Sequence, residues 1–167
     1  MTREILIRTR NFVILALLQA LIFSRIHLFG YATACVYLIF ILKLPRLTSR
    51  NELLIWGFLL GLTVDIFADT PGINACAATA TAFARNYILA AFTQKGTADD
   101  FVPGVHTIGW SGYSTYAAFC LLLFFTLLYL LELFTINYPV TLLVGATGST
   151  LLTMLFAIVT ECFTRKK

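Results

Sequence analysis

One acidic residue, Asp65, lies inside an apolar segment of this sequence, where a carboxylate can do chemistry. Gly57, Gly61 and Asp65 follow one another at intervals of four residues, so in a helix they share one face, with a drift of about 40° per step. A Gly-x-x-x-Gly pair lets another helix approach closely, and a carboxylate beside it can accept hydrogen bonds or contact a ligand. The spacing therefore predicts a helix-packing or partner-binding face.

The residues after Asp65 predict a tight reversal of the chain. Residues 69–72 read Asp-Thr-Pro-Gly, where proline fixes φ and glycine allows a sharp turn. The next segment carries small residues on one helix face, namely Ala75, Ala78 and Ala82. We therefore predict a closely packed helical hairpin, turning at Gly72, in which Thr63 and Asn74 are candidate hydrogen-bond partners of Asp65.

The composition requires a membrane around these residues. Of the 167 residues, 59% are hydrophobic and 12% are charged, against about 45–50% and about 25% in a soluble domain. A soluble fold of this length has too little interior to bury so much apolar side chain. The composition excludes soluble, disordered and disulfide-scaffold classes and predicts one integral membrane domain over residues 1–167.

The sequence contains six apolar stretches. We expect them to be helices, because an open sheet edge would leave unpaired backbone groups in lipid. The stretches are Asn11–Ile26, Tyr31–Leu44, Leu53–Ala68, Ile73–Phe92, Tyr113–Phe134 and Val140–Phe163. About 20 apolar residues cross the hydrocarbon layer, so we predict an all-α, polytopic membrane helix bundle with six transmembrane helices. The first three stretches are short, and four or five crossings stay open as alternatives. Residues 93–112 are predicted to form a cytoplasmic loop.

The basic residues predict the orientation of the bundle. With six crossings and a cytoplasmic N-terminus, all of the 12 Lys and Arg residues except Arg25 lie on the cytoplasmic side, in agreement with the positive-inside rule. Both termini are therefore predicted to be cytoplasmic. The net charge of +4 favours contact with anionic membrane lipids, and its scattered distribution does not indicate nucleic-acid binding.

Polar residues in other apolar stretches are weaker candidates for a site. Arg85 lies near the predicted inner end of its helix, about 14 Å from the level of Asp65 by helix rise. We expect its side chain to extend to the cytoplasmic interface. The remaining candidates are Gln19, Glu132, Glu161, Gly145, Gly148 and Ser149.

The sequence contains no recognisable catalytic or metal-binding constellation. Paired carboxylates, a nucleophile–base pair and a cluster with metal-ligand spacing are all lacking. The four cysteines occur singly in four apolar stretches, at Cys35, Cys76, Cys120 and Cys162, which favours inert buried thiols over metal or disulfide roles. We predict that the protein is not an enzyme and that it uses no cofactor and no metal.

The segment around Asp65 resembles the signature of the rod shape-determining MreD family. The residues that carry the resemblance are Gly61-Leu62-x-x-Asp65, Pro71-Gly72 and Ile73-Asn74-Ala75. The length, the predicted six helices and Gln19 in the first helix are similar too. The sequence departs from the family pattern at Ala68 and Asp69, where the family commonly has a glycine soon after the aspartate.

The resemblance implies a scaffold in the bacterial cytoplasmic (inner) membrane. MreD-like proteins act beside MreC, the actin-like filament MreB and the glycosyltransferase RodA with its partner transpeptidase. They help organise lateral peptidoglycan synthesis and cell shape, and their fold has been likened to the substrate-binding subunits of energy-coupling-factor vitamin transporters. From the spacing and the turn, we predict that Gly57, Gly61, Asp65, Gly72 and Asn74 serve partner binding or helix packing.

A small-molecule carrier, or its substrate-binding membrane subunit, is the alternative function. Intramembrane acids often mark substrate pathways, and Asp65, Asn74 and Glu132 could line a cavity. Carriers often show a broken helix repeated in both halves of the chain, and no such break is recognisable in the sequence. A vitamin-like ligand that binds saturably would distinguish the carrier from the scaffold.

Overall fold

Helices form nearly all of the structure, which is a computed structural model that describes residues 2–21, 27–28, 32–33, 35–93, 101–133 and 139–164. Two two-residue strands pair in antiparallel fashion, with His27 opposite Thr33 and Leu28 opposite Ala32. The elements in chain order are α1 (Thr2–Leu21), β1 (His27–Leu28), β2 (Ala32–Thr33), α2 (Leu38–Leu42), α3 (Arg50–Ala68), α4 (Ile73–Phe92), α5 (Val105–Leu133) and α6 (Pro139–Thr164).

Three helical segments in the described part of the chain are long and apolar enough to cross a membrane. They are Arg50–Ala68, Val105–Glu132 and Gly145–Cys162. At a rise of about 1.5 Å per residue, each of them approaches or exceeds the hydrocarbon thickness of about 30 Å. Helix α4 has 20 residues, but Asn74, Arg85 and Asn86 make it less apolar. The three segments indicate a helical membrane protein.

The second apolar stretch, Tyr31–Leu44, was expected to be a helix, and this prediction is wrong over the described residues. Only the five residues of α2 are α-helical, and every residue from Cys35 to Leu42 is buried. The backbone N–H of Cys35 donates to Thr153 Oγ1 at 3.2 Å, and that of Val36 donates to Gln19 Oε1 at 3.0 Å. Side chains of α1 and α6 thus replace helical hydrogen bonds, as a buried, non-helical backbone requires.

The predicted loop over residues 93–112 is also shorter in the structure. Helix α5 begins at Val105 and contains a kink at Gly109, whose φ is 79°. The turn before α5 is closed by Thr107, whose hydroxyl accepts a hydrogen bond from the Gly104 backbone N–H at 3.0 Å. This local hydrogen bonding starts the helix eight residues before the predicted Tyr113. Residues 94–100 of the predicted loop lie outside the described part.

The hairpin of α3 and α4 follows the predicted bounds most closely. Helix α3 begins after Ser49, whose side chain accepts from the Glu52 backbone N–H, and such a cap satisfies one of the free donors of a first turn. It ends at Ala68, and α4 runs over Ile73–Phe92, both as the apolar pattern predicts. This hairpin carries the residues of the candidate site.

Candidate functional site

The glycines of α3 lie directly against α4. A Cβ built on Gly61 would lie 2.5 Å from Ala75 Cα and 2.6 Å from Asn74 O, whereas one built on Gly57 would lie 2.9 Å from Ala82 Cβ. The Gly61 contact is with backbone, which cannot move aside as a side chain can. The two helices therefore approach so closely at Gly61 that only glycine fits.

This contact brings Asp65 to the first turn of α4. The Asp65 side chain is 3% exposed, and its Oδ1 accepts hydrogen bonds from the backbone N–H and the side-chain amide of Asn74, both at 3.0 Å. Its Oδ2 accepts from the Ala75 backbone N–H at 2.8 Å. The first N–H groups of a helix have no partners within the helix, and a negative charge is stabilised there. A side chain of α3 thus caps α4.

Two hydroxyl groups complete the surroundings of Asp65. The Thr70 hydroxyl donates to Asp65 Oδ1, and the Tyr37 hydroxyl, just before α2, donates to Asn74 Oδ1 at 3.0 Å. The expectation that Thr63 binds Asp65 is wrong, because the Thr63 hydroxyl donates to the Leu59 carbonyl one turn earlier at 2.7 Å. The carboxylate joins α3, the turn, α4 and the segment before α2.

The turn between the two helices contains two left-handed residues. Gly72 has a φ of 81°, and a Cβ there would have open space around it, so conformation rather than crowding favours glycine. Asp69 has a φ of 57°, which non-glycine residues rarely adopt. Asp69 is the C-cap residue that follows α3, and its side chain is exposed.

Arg85 forms a second buried charged centre on α4. Its side chain is 0% exposed, so the expectation that it extends to the interface is wrong. Its Nε donates to the Tyr116 hydroxyl at 3.0 Å, and its Nη2 donates to the carbonyls of Leu42 and Leu44. The Tyr116 hydroxyl in turn donates to the Leu42 carbonyl at 3.2 Å. Arg85 therefore binds the carbonyl end of α2, where a positive charge is favoured.

Charged pairs connect further elements near the Arg85 end of the bundle. Lys43 Nζ lies 3.0 Å from Glu161 Oε1, and Arg8 Nη1 lies 2.6 Å from Glu52 Oε1. Neither of these pairs involves Arg85, and no carboxylate pairs with Arg85 among the residues described. The start of α1, the start of α3, the end of α2 and the end of α6 therefore lie at the same end.

The structure thus brings the main predicted site residues together at the α3–α4 junction, whereas the weaker candidates lie elsewhere. Asp65, Gly61, Gly72 and Asn74 surround the turn, and Gly57 lies two helical turns away against α4. Glu132 is exposed on α5 and belongs to neither charged centre. Gln19, Glu161 and Ser149 are buried and serve contacts between helices: Gln19 with Val36, Glu161 with Lys43, and Ser149 with Tyr129.

Sequence reasoning missed the residues that complete both centres. Tyr37 and Thr70 bind Asn74 and Asp65, and Tyr116 binds Arg85. Arg85 itself gave a usable signal, because an arginine well inside an apolar helix usually faces the protein interior and finds carbonyl or charged partners. The tyrosines gave no comparable signal.

Metal binding finds no support in the described part of the chain. No group of three or more His, Cys, Asp or Glu side chains there could hold a metal ion. Cys35 and Cys120 are buried, and Cys76 and Cys162 are exposed, all as free thiols. The site can therefore join helices and satisfy buried charges, and it presents no reactive pair.

Taken together, the apolar helices and their buried polar contacts define a helical membrane protein. No family model, no curated protein and no solved structure matches the chain.

Proposed function

We propose that this chain is a non-enzymatic scaffold of the bacterial cell-elongation machinery, in the cytoplasmic membrane, where it binds MreC and helps organise lateral peptidoglycan synthesis. The observation that carries the proposal is the MreD-like motif, whose Gly61, Asp65, Gly72 and Asn74 are the residues that build the α3–α4 junction. A motif that shapes one rigid helix pair suits a protein whose task is to hold others in place.

The orientation of these residues refines the proposal. Gly57, Gly61, Asp65 and Asn74 are all buried within the chain, so they are already occupied by contacts between α3 and α4. A partner then contacts other surfaces of the molecule. In this proposal the motif acts indirectly, because it fixes the positions of the two helices that present those surfaces.

Six crossings with cytoplasmic termini belong to the same proposal. The pairs Arg8–Glu52 and Lys43–Glu161 gather basic residues at one end, which agrees with the positive-inside rule. The second crossing is formed by the buried segment through α2. Tyr37 contacts Asn74, and Leu44 contacts Arg85, about 16 Å further along α4 by helix rise. These contacts support a segment that runs beside α4.

Depletion of the protein in its own rod-shaped host tests the scaffold. We expect the cells to become round and MreC to be lost from affinity captures of the elongation complex. Re-expression of the wild-type chain and of Ile55→Leu, a conservative change at a residue that is 57% exposed, restores both properties. Gly61→Leu restores neither, because its side chain would overlap the backbone of α4. Normal shape after depletion, with MreC still captured, contradicts the proposal.

A carrier or substrate-binding subunit is a second candidate, favoured by one observation. The apolar stretch before α3 is interrupted, and its backbone is held by Gln19 and Thr153, as in transporters whose substrate sites lie at broken helices. The side chains that the sequence suggested as lining a substrate cavity do not support a carrier. Asp65 and Asn74 bind each other, and Glu132 is exposed on another helix. Saturable binding of a vitamin-like ligand to the purified protein would favour the carrier, and its absence across vitamins favours the scaffold.

A further inference from the structure

A cleft opens between α1 and the segment around α2, near the two ion pairs. It is lined by Arg8, Asn11, Ile14 and Leu15 from α1, and by Ile39 and Lys43 from the other wall. Arg8, Asn11 and Leu15 follow one another at intervals of three and four residues, and Ile14 lies three residues after Asn11. The four residues therefore share one helix face. The cleft is therefore a continuous feature of two adjoining helix faces.

Both walls of the cleft carry a basic residue with apolar residues within about two helical turns of it. Arg8 and Asn11 come first on α1 and are followed by Ile14 and Leu15, about 10 Å from Arg8 by helix rise. The opposite wall is basic at Lys43 and apolar one turn away. A charged end followed by the apolar side chains of Ile14, Leu15 and Ile39 matches the chemistry of a phospholipid headgroup and the first part of its acyl chain.

The charged end of the cleft favours an anion. The Arg8 and Lys43 side chains are 21% and 27% exposed, and each binds one oxygen of a glutamate while its cationic group carries further N–H donors. Basic residues exceed acidic ones at this end of the bundle, because Arg46, which directly follows the cleft-lining Pro45, adds a positive charge to the two ion pairs. Basic pockets between helices at the cytoplasmic side bind anionic headgroups.

We propose that this cleft binds one anionic phospholipid. Its phosphate lies between Arg8 and Lys43 near the Asn11 amide, and one acyl chain follows Ile14 and Leu15. The inference requires only that the protein is embedded in a membrane, so it stands whether the protein is a scaffold or a carrier.

Native mass spectrometry of the full chain, with phosphatidylglycerol and phosphatidylcholine of equal acyl length, tests the headgroup. We expect phosphatidylglycerol to bind more tightly by about fivefold or more, since one basic residue near an anionic lipid contributes about 1 kcal/mol. Arg8→Gln abolishes this preference, whereas Arg10→Gln, which removes the same charge outside the cleft, preserves it. Equal binding of the two lipids, or equal effects of the two variants, overturns the proposal.

A second pair of variants tests the acyl chain without changing any charge. Ile14→Trp fills the apolar part of the cleft and is expected to displace the lipid, whereas Val13→Trp lies outside it and leaves binding unchanged; both positions are partly exposed, at 52% and 44%. If Arg8→Gln fails to fold because its ion pair with Glu52 is lost, this pair of tryptophan variants still tests the proposal. Equal effects of the two tryptophans, or binding of glycerol phosphate as tight as that of the whole lipid, contradict a phospholipid site.

Discussion

Two buried charges, Asp65 on α3 and Arg85 on α4, are each stabilised by backbone groups, but at opposite kinds of helix end. Asp65 receives the N–H groups at the start of α4, and Arg85 donates to the carbonyls at the end of α2. The carboxylate comes from the neighbouring helix, whereas the guanidinium belongs to α4 itself. The partners of Asp65 lie within ten residues of it in sequence, whereas those of Arg85, apart from the adjacent Asn86, lie 31 to 43 residues away. A helix terminus can thus stabilise a buried charge without a counter-ion.

Removal of the Asp65 carboxylate is expected to have the largest effect. Asp65→Ala leaves two backbone N–H groups and the Asn74 amide without an acceptor, which lowers the free energy of unfolding by about 3 kcal/mol at about 1–3 kcal/mol per buried group. Chemical unfolding in detergent micelles measures the loss. Ile66→Ala, one residue away and 71% exposed, serves as the control. A wild-type unfolding curve for Asp65→Ala would remove the capping role.

The second-largest expected loss of stability comes from replacing the planar guanidinium of Arg85. Arg85→Lys keeps the positive charge but loses the planar group that reaches Tyr116 and two carbonyls at once. We expect a loss of about 2 kcal/mol, from one or two broken charged hydrogen bonds, in the same unfolding assay. Arg10→Lys on the exposed surface is the matched control. If both substitutions are equally harmless, the charge alone suffices and the comparison of two helix termini fails.

The hydroxyl that links α2 to the Asp65 centre is expected to contribute less. Tyr37→Phe removes the donor to Asn74 Oδ1 and should cost about 1 kcal/mol, the usual net value of one hydrogen bond. Phe58→Leu, at a residue that is 49% exposed, removes no hydrogen bond and should leave stability unchanged. A reversed order of these two variants would show that the Tyr37 bond is not made.

The smallest expected quantity is the coupling between the two centres. Asn74 and Arg85 are separated by about 16 Å along α4, and sites that distant add independently to within about 0.5 kcal/mol. The double variant Asp65→Asn with Arg85→Lys should therefore lose the sum of the two single losses. A coupling well above that value in the double-mutant cycle would show that Asp65 and Arg85 form one network.

The sequence predicts most of the Asp65 centre because the groups that bind the carboxylate lie within ten residues of it, whereas Tyr37, which binds Asn74, is distant in sequence. Gly57, Gly61 and Asp65 share a face by spacing alone, and the Pro-Gly turn brings Asn74 back to that face. The bounds of α3 and α4 follow for the same reason. The choice of Thr70 over Thr63 was not predictable, because the position of the Thr70 hydroxyl depends on the left-handed turn at Asp69.

The Arg85 centre and α2 could not be predicted in this way. Arg85 was expected at the interface because its carbonyl partners, at Leu42 and Leu44, belong to a segment that the apolar pattern assigned to a long helix. That segment departs from a helix because Gln19 and Thr153 bind its backbone. Thr153 lies 118 residues beyond Cys35, so no local pattern contains this information.

The same long-range bond has a consequence for the order of biosynthesis. A ribosome completes the buried segment before α2 long before it produces Thr153, and until then the Cys35 backbone N–H lacks its partner from α6. An unsatisfied N–H in the hydrocarbon layer is costly, so the segment cannot settle into its final position between the helices during early insertion. Chains truncated before α6 should therefore remain accessible to thiol reagents at Cys35, because α6 supplies the hydroxyl that binds this backbone.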